Sequence, residues 1–239
     1  MLPILQIGPL AIPTYPLALL IALWAALEAA GRIARRAGVD GDHLYNAGIF
    51  GLVALIAVGR LAHMIAFWPA YRLQPIEIIG LNPQAFLWGP AVIAGVLVAA
   101  WHVHRRRLPW PAVADAAATG ALIGLIIVQA GALLAGVDVG VATDLPWAMT
   151  LWGVQRHPIP IYMALAALLT LAAMWRAARQ GLRRGDMAAI ALFGWGAATW
   201  LVEPFRAESA TILAGLRSVQ IIGWLTALGA LWLLRRRNV

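Results

Sequence analysis

The sequence contains no cysteine and no lysine, and only 12% of its 239 residues are charged. Without cysteine the chain can form no disulfide, no thiolate metal site and no cysteine nucleophile. Hydrophobic residues make up 62% of the chain and the mean hydropathy is +0.80, which excludes an ordinary globular domain. We therefore predict an all-α, polytopic integral membrane protein.

The positive charge is carried by arginine alone. All 18 basic residues are arginine, and the formal net charge is +8. In a soluble chain this charge would suggest nucleic acid, but here the arginines gather in short tracts between apolar runs. Their expected partner is the membrane surface. We predict no nucleic-acid partner, no cofactor and no bound metal.

Seven apolar runs have the length that a membrane-spanning helix needs, which is about 20 residues. They cover residues 14–30, 44–67, 85–104, 111–135, 160–178, 187–205 and 217–234. Because seven is odd, the two termini are expected on opposite sides. No repeat and no soluble segment separates the runs, so we predict a single membrane domain over residues 1–239.

Four arginine tracts fall on alternate ends of these runs and hold 13 of the 18 arginines. They are Arg32, Arg35 and Arg36; Arg105 to Arg107; Arg176, Arg179, Arg183 and Arg184; and Arg235 to Arg237. The positive-inside rule places these ends in the cytoplasm, the N-terminus outside and the C-terminus inside. The simplest role of the tracts is to orient the spans and contact anionic lipid heads.

The five remaining arginines map to the opposite, outer side: Arg60, Arg72, Arg156, Arg206 and Arg217. Arg60 precedes the end of its run by about seven residues, which places it roughly 10 Å below the outer interface. A guanidinium at that depth needs a partner inside the bundle. His63 shares its helix face, because it lies three residues further on.

Further polar residues reach the same depth on other runs. Glu203 and Arg206 repeat the three-residue spacing, and the openings of other runs carry Arg156, His157, Tyr162, Tyr15 and Gln220. Such a convergence predicts a pocket for an anionic group, and arginine suits phosphate because its planar fork donates two parallel hydrogen bonds. The natural anion there is a phospholipid head. Simpler roles remain open: Glu203 and Arg206 as a surface ion pair, Arg72 and Arg217 as interface residues, Tyr15 as a membrane-belt anchor and His63 as a structural histidine.

Several stretches resemble the prolipoprotein diacylglyceryl transferase family, in that family's order. "IGPLAIPTYPLALLIAL" is similar to its first span and "GRLAHMIAFWPAYRLQPIEII" to its "GRLGY" segment. "TDLPWAM", "RHPIPIYMAL", "FGWGAATWLVEPFRAES" and "LRSVQIIGWLTALGALWLL" resemble its later motifs. The resemblance covers nearly the whole chain. It implies seven spans, an outward N-terminus and a bacterial inner-membrane protein with its active face outside the cytoplasm.

The resemblance also implies a reaction: transfer of the diacylglyceryl group of phosphatidylglycerol to the thiol of a lipobox cysteine in a prolipoprotein, with release of glycerol 1-phosphate. By position it carries over Arg60, Arg156, His157, Tyr162, Glu203 and Arg206. We predict catalytic roles for His157, His63, Arg60, Arg206 and Glu203, with one of the two histidines as the base. We predict headgroup binding by Arg60, Arg156, Arg206, Tyr15, Tyr162 and Gln129. Because a free thiol titrates near 8.5, a base is needed to form the thiolate.

The chain departs from the family pattern at several positions. The family's "HGG" reads Trp88-Gly89-Pro90, and its "GRxGNFxNxE" reads "VQAGALLAGVD". Gln129 therefore stands at an expected arginine, and the expected Asn, Asn and Glu are Ala132, Ala135 and Val137. Pro160 and Met163 replace a Gln and a Glu beside Tyr162.

Two hypotheses stay open on these residues. The first is a divergent transferase that acts on a prolipoprotein or another acceptor. The second is a catalytically inactive homologue that serves as a lipid-binding membrane subunit or scaffold. A transporter is a third hypothesis, although polar residues trace no path across the membrane.

Overall fold

Helices begin and end where the apolar runs meet arginine, glycine or proline. In the computed structural model the described residues are 1–78, 85–151, 153–207, 211–213 and 216–237. Their helices are α1 (Thr14–Arg36), α2 (Gly41–Ala66), α3 (Trp68–Leu73), α4 (Trp88–Arg105), α5 (Trp110–Ala135), α6 (Ile159–Ala178), α7 (Asp186–Val202) and α8 (Ser218–Arg237). Short 3₁₀ turns cover Pro75–Ile78 and Glu203–Phe205. Each of the seven apolar runs lies on a helix, which confirms the all-α membrane class.

Six helices of the described chain are long and apolar enough to cross a membrane: α1, α2, α5, α6, α7 with its 3₁₀ turn, and α8. Helix α4 covers the third predicted run but is not among the six, since two histidines and an arginine lie in its last turn. The count of seven spans and the outward N-terminus stay predictions.

The strands among the described residues form three antiparallel pairs. They are β1 (Ile4–Ile7) with β2 (Leu10–Pro13), β3 (Met149–Leu151) with β4 (Val154–Arg156), and β5 (Thr211–Leu213) with β6 (Leu216–Arg217). The first pair turns at Gly8, whose φ of 61° lies in the left-handed region that glycine adopts without strain. All three pairs are too short to form a β domain.

The chain folds into two compact units. The first unit consists of residues 1–33 and 114–239, and the second of residues 34–113. The single domain over residues 1–239 stays a prediction.

In the first unit, small residues allow the helices to approach closely. A Cβ on Gly120 would lie 2.3 Å from the carbonyl oxygen of Ala26, which brings α5 against α1. A Cβ on Gly196 would lie 2.5 Å from the carbonyl oxygen of Gly223, which brings α7 against α8. Close backbone approach of this kind is how helices associate in lipid, where apolar burial gives little preference for one neighbour over another.

Helix α7 begins on a carboxylate supplied by another helix. Asp115 of α5 is buried and accepts hydrogen bonds from the backbone N–H of Gly185 (2.6 Å) and of Ala188 (2.8 Å). Both groups lie in the first turn region, where N–H groups have no partner inside the helix. The negative charge also complements the positive end of the helix dipole. Asp115 therefore fixes the position of α7 in the first unit.

The second unit is built on the antiparallel pair α2 and α4. Each of Gly51 and Gly95 would place a Cβ 2.9 Å from the carbonyl oxygen of the other, so any larger residue would separate the helices. Asp40 caps α2 by accepting from the backbone N–H of Asp42 (2.9 Å) and His43 (3.3 Å). The hydrogen bonds from His43 and Asp42 lower the pKa of the exposed Asp40 carboxyl.

Large apolar side chains cover the outside of the helices. Ile65, Leu169, Leu20, Trp24 and Trp175 are all more than 60% exposed, whereas many of the buried apolar residues are alanine. In a soluble protein an exposed apolar surface of this extent would cause aggregation. The pattern is the one expected of helices whose large side chains contact acyl chains and whose small ones contact each other.

Candidate functional site

An extended segment after α5 joins two stretches that are distant in sequence. Gly136 and Asp138 both have positive φ, 70° and 60°, and reverse the chain. Residues 139–143 then run between residues 155–157 on one side and residues 205–207 on the other. Arg156-His157 and Glu203-Arg206 are thereby held on either side of this central segment of the first unit.

The backbone hydrogen bonds of the central segment define its position. Val141 accepts from the N–H of His157 (3.1 Å) and donates to the carbonyl of Phe205 (2.8 Å). Gly140 donates to the carbonyl of His157 (3.2 Å), and the N–H of Ala207 donates to the carbonyl of Val139 (3.1 Å). The central segment is therefore bonded on both sides, although it belongs to no long strand.

Gly140 is a requirement of this arrangement. A Cβ at this position would lie 2.5 Å from the carbonyl oxygen of His157 and 2.9 Å from that of Phe205. Both obstacles are backbone atoms on opposite sides, so neither can rotate away. Only glycine allows the three stretches to pack at this distance.

A partly buried group of charges lies at the end of α7. The Nε of Arg206 is 3.2 Å from Oε2 of Glu203, and its Nη1 bonds Oδ1 of Asp138. The side chain of Glu203 is 5% exposed, and those of Arg206 and Asp138 are about a quarter exposed. Arg217 of β6 donates to the backbone carbonyls of Glu203 and Arg206. Two carboxylates thus meet the guanidinium of Arg206 in a partly buried site, and Arg217 bonds the backbone beside them.

Burial raises the pKa of Asp138, and the negative charge of Glu203 adds to this effect. The positive charge of Arg206 and its hydrogen bond act in the opposite direction. Asp138 has a pKa above the ordinary value of a carboxyl group, because removing its charge from water outweighs the attraction of one arginine.

Glu203 and Arg206 line a cavity of about 520 Å³ within the first unit. Gln129, Thr199 and Ser218 complete its polar wall, and the remaining walls include Leu125, Met163 and Trp195. Its volume falls in the usual range of ligand pockets. A cavity with charges at one end and apolar walls elsewhere suits an amphiphilic ligand that has an ionic head.

His157 and Tyr162 lie beside the central segment and form a hydrogen-bonded chain with Trp147. The indole Nε1 of Trp147 donates to the hydroxyl of Tyr162 (2.8 Å), which is 3.1 Å from Nδ1 of His157. Because an indole can only donate, the tyrosine proton is available to Nδ1 of the neutral imidazole. His157 is buried, and its ring packs 4.8 Å from that of Phe205.

Arg156 has one bonded and one unbonded donor nitrogen among the described residues. Its Nη1 donates to the carbonyl of Gly140 (3.1 Å), but its Nε is buried and has no hydrogen-bond partner among the described residues. Tyr15, in the first turn of α1, lies close enough to Asp138 and Arg206 to interact with their charges. Its position is fixed by the neighbouring Thr14, whose N–H donates to the carbonyl of Pro3 (3.0 Å).

Arg60 and His63 belong to the second unit and have partners there. The guanidinium of Arg60 donates from Nη1 to the carbonyl of Ala85 (3.0 Å) and from Nη2 to that of Glu77 (2.8 Å). Nδ1 of His63 is 3.0 Å from the hydroxyl of the buried Tyr71. Backbone carbonyl oxygens therefore bond the guanidinium of Arg60, for which the sequence analysis predicts a lipid phosphate as the partner. The roles of Arg60 and His63 in lipid binding and catalysis stay predictions.

The structure thus brings Gln129, Glu203 and Arg206 onto one cavity and places Tyr15, Arg156, His157 and Tyr162 in the same unit. Sequence reasoning missed Asp138 and Trp147, and it treated Arg217 as an interface residue. Asp138 follows Val137, the position at which the resemblance expects a carboxylate, so the displaced charge was a usable signal. The partners of Arg217 are backbone carbonyls, which leave no trace in a sequence.

Comparison with known proteins confirms the predicted family. The model of the prolipoprotein diacylglyceryl transferase family matches residues 3–236. The phosphatidylglycerol–prolipoprotein diacylglyceryl transferase of Bordetella parapertussis is 30% identical over 233 residues, which cover 93% of this chain and 88% of the relative. The proteins of that name from Synechococcus elongatus (25% over 250 residues, 96% and 86%) and Corynebacterium diphtheriae (25% over 259 residues, 97% and 91%) are also similar.

Enzymes of this family are transferases of the bacterial inner membrane, and their substrates are phosphatidylglycerol and a prolipoprotein. The match extends over nearly the whole chain and includes the segments that form the cavity and the central segment beside it. The chain therefore belongs to the prolipoprotein diacylglyceryl transferase family.

Proposed function

We propose that this protein transfers the diacylglyceryl group of phosphatidylglycerol to the thiol of a lipobox cysteine in a prolipoprotein. Family membership supports the reaction. The observation that links this reaction to particular residues is the cavity of about 520 Å³, whose polar end holds Arg206, Glu203 and Gln129. The phosphate of the lipid would lie at this end and its hydrocarbon along the apolar walls.

The reaction takes place at the carbon of the diacylglyceryl group that carries the phosphate, where a C–S bond replaces a C–O bond. The thiol loses its proton to a base, the sulfur forms a C–S bond to that carbon, and the C–O bond to the phosphate breaks. Glycerol 1-phosphate leaves with the negative charge. Stabilising the phosphate as this charge develops is therefore the main electrostatic task of the site.

Arg206 has the geometry for that task. Its Nε and Nη1 are engaged by Glu203 and Asp138, which hold the guanidinium plane still. In the described part of the chain Nη2 makes no hydrogen bond, and Arg206 lines the cavity. A guanidinium already fixed by two carboxylates loses little freedom when it binds phosphate, which makes the site preorganised.

His157 is the base candidate that shares a unit with the cavity. Its Nδ1 receives the Tyr162 hydroxyl, which is oriented by Trp147. We propose that the thiol proton passes to the oxygen of the Tyr162 hydroxyl while the hydroxyl proton moves to Nδ1 of His157, so that the imidazole acts as the base through Tyr162. His63 is the second base candidate. Arg156, Tyr15, Tyr162 and Gln129 would be further donors to the lipid head.

We further propose that the cavity faces the extracytoplasmic side. The cavity lies at the end of α7 and the start of α8, whereas arginine tracts close α1, α4, α6 and α8. The positive-inside rule assigns the tract ends to the cytoplasm, which places the C-terminal end of α7 outside. This orientation is consistent with seven spans when α4 is included.

A catalytically inactive, lipid-binding role is the second candidate, and Gln129 is the observation that favours it. The resemblance expects an arginine there, and the structure places this buried glutamine in the cavity wall. Loss of a charge at this wall would lower the rate by about a hundredfold or more while preserving room for a lipid. In this role the acceptor would be replaced by a partner membrane subunit.

The decisive experiment mixes the purified protein, phosphatidylglycerol and a lipobox peptide. We expect a thioether-linked lipopeptide by mass spectrometry and an equal amount of glycerol phosphate. The matched controls are a peptide with serine in place of the lipobox cysteine and phosphatidylcholine in place of phosphatidylglycerol. Neither should give product.

An active family member in the same assay shows that the conditions permit transfer. Retained phosphatidylglycerol without either product, while that member is active, would overturn the transferase and support the lipid-binding subunit. Replacement of Arg206 by alanine should abolish product, whereas Arg72→Ala, which removes an exposed arginine of the second unit, should not.

A further inference from the structure

A second cavity with basic walls lies within the second unit, at the end of the α2–α4 pair opposite Arg60. Its volume is about 500 Å³, and it is lined by Phe50 of α2 and by Trp101, His102, Arg105 and Arg106 at the end of α4. Along α2, Phe50 is ten residues from Arg60, or roughly 15 Å. Nothing in the proposed transfer reaction uses this cavity.

His102 is the feature of this cavity that needs an explanation. The residue is 6% exposed, and its Nε2 is buried without a hydrogen-bond partner among the described residues. Its ring contacts the rings of Phe50 (5.2 Å) and His43 (6.2 Å), neither of which supplies a bond to Nε2. A buried polar atom without a partner is costly, so its retention points to a ligand that meets it.

The charged groups around His102 indicate whether that ligand is an anion or a cation. Arg105 and Arg106 line the cavity, and Arg105 stacks 5.5 Å from the ring of Trp101. Asp40 is the carboxylate near Arg106, and its oxygen is already engaged by the first N–H groups of α2. The carbonyls of the last α4 turn are also capped, for example His102 by the N–H of Arg106 (3.0 Å). An anion is favoured over a cation.

We propose that this cavity binds the phosphate of an anionic phospholipid at the end of the α2–α4 pair that carries the arginine tract Arg105 to Arg107. His102 and Arg106 donate to the phosphate, and Phe50 and Trp101 contact the adjoining glycerol and acyl carbons. The mixed aromatic and basic walls suit a headgroup with attached hydrocarbon better than a free ion. The site is separate from the transfer reaction and serves to hold this end of the second unit to lipid.

The test measures phospholipid binding to the full-length protein. Native mass spectrometry counts the retained phosphatidylglycerol molecules, and thermal unfolding is measured with added phosphatidylglycerol, phosphatidylcholine or inorganic phosphate. The test variants are His102→Phe and Arg106→Gln, and their matched controls are His104→Phe and Arg107→Gln. The controls change the same residue types on the same tract but do not line the cavity.

We expect each test variant to lose about tenfold in affinity for one phosphatidylglycerol, as the loss of a charge-assisted bond implies. His102→Phe should also raise the unfolding temperature without lipid, because it removes the unpartnered nitrogen. Stabilisation by phosphatidylglycerol and not by inorganic phosphate supports the lipid headgroup. Equal stabilisation by inorganic phosphate, or equal binding by test and control variants, overturns it. Arg206→Ala should leave this affinity unchanged, so failure of the proposed transferase would not affect the result.

Discussion

Both compact units contain an arginine and a histidine whose Nδ1 meets a tyrosine hydroxyl, yet their surroundings differ. In the second unit His63 and Tyr71 are 3.0 Å apart, and Arg60 donates to backbone carbonyls. In the first unit His157 and Tyr162 are 3.1 Å apart. Trp147 orients this pair, and the arginine at the cavity, Arg206, is held by carboxylates.

The difference separates two uses of a partly buried guanidinium. Carbonyl partners engage the donors of Arg60 and tie down the segment after α2, which stabilises structure. Carboxylate partners fix the plane of Arg206, which also lines a cavity, and this is the arrangement that the proposed binding of phosphate requires. The same residue type at a similar expected depth therefore need not have the same role.

The largest effect is expected from Gly140→Ala. The added Cβ would lie within 3 Å of the carbonyls of His157 and Phe205 and push the central segment from both neighbours. We expect a loss of about 1–3 kcal/mol in stability and roughly a hundredfold loss of transfer, because the catalytic groups move by about 1 Å. The unfolding temperature and the lipopeptide assay measure the two effects.

Gly89→Ala is the matched control in the second unit. Gly89 lies in the first turn of α4, where a Cβ would meet nothing within 4 Å. The substitution should leave transfer unchanged and stability unchanged or slightly higher, since alanine is the better helix former. Equal losses in the two variants would show that the central segment has no special position.

Next in size is the contrast between Arg206→Lys and Arg60→Lys. Lysine keeps the charge but loses the planar fork. Arg206→Lys should lower kcat/KM by roughly a hundredfold with little change in unfolding temperature, since one cation still faces Glu203 and Asp138. Arg60→Lys should reduce stability by about 1 kcal/mol through a lost carbonyl bond and leave the rate of the folded protein unchanged.

The same pair of variants tests the predicted lipid role of Arg60. A large fall in rate for Arg60→Lys at unchanged stability would show that Arg60 binds the lipid phosphate, as its predicted depth in the membrane suggests. A fall in stability without a fall in rate for Arg206→Lys would reduce Arg206 to a structural ion pair. Either result would reverse the comparison between the two units.

Much of the fold could be predicted from sequence, because membrane helices are marked by long apolar runs with arginine at their ends. Each of the seven runs lies on a helix, and the Glu203–Arg206 pair follows from three-residue spacing. Gln129 was placed at the site by its alignment with a motif arginine, and it lines the cavity with Arg206.

The rest depends on contacts that residue types do not encode. Backbone carbonyls, the partners of Arg60 and Arg217, exist at every residue, so no pattern marks them. The central segment at residues 139–143 is too short and irregular to show strand periodicity. The sequence analysis missed Asp138 because the motif places the expected glutamate at Val137, one residue earlier. In the structure Asp138 itself has a left-handed backbone, and its carboxylate contacts Arg206.

A smaller effect is expected from the two tyrosine substitutions. Tyr162→Phe removes the hydroxyl that links Trp147 to His157, so we expect roughly a tenfold loss of kcat/KM and a shifted pH profile. Tyr71→Phe removes the equivalent hydroxyl beside His63 and should cost about 1 kcal/mol of stability with an unchanged profile. If Tyr71→Phe moved the profile and Tyr162→Phe did not, His63 would be the base.

The smallest effect concerns Asp138 and the dependence of stability on pH. Its pKa is raised in the folded protein, mainly by burial, above the ordinary value of 3.8. At a pH well below 3.8 the carboxyl is protonated in both the folded and the unfolded chain and has no effect on their balance. As pH rises through the interval between 3.8 and the raised pKa, the unfolded chain ionises first, so Asp138 progressively destabilises the fold.

Asp138→Asn should remove this contribution, because asparagine keeps an oxygen for Arg206 but does not ionise. The unfolding temperature of the variant relative to the unmodified protein should therefore increase as pH rises above 3.8 and become constant once Asp138 is fully ionised. Asp144→Asn is the control, since Asp144 is exposed in the same loop. A difference that shrinks as pH rises would mean that the attraction of Arg206 outweighs burial, and the carboxylate would then be a net stabiliser of the site.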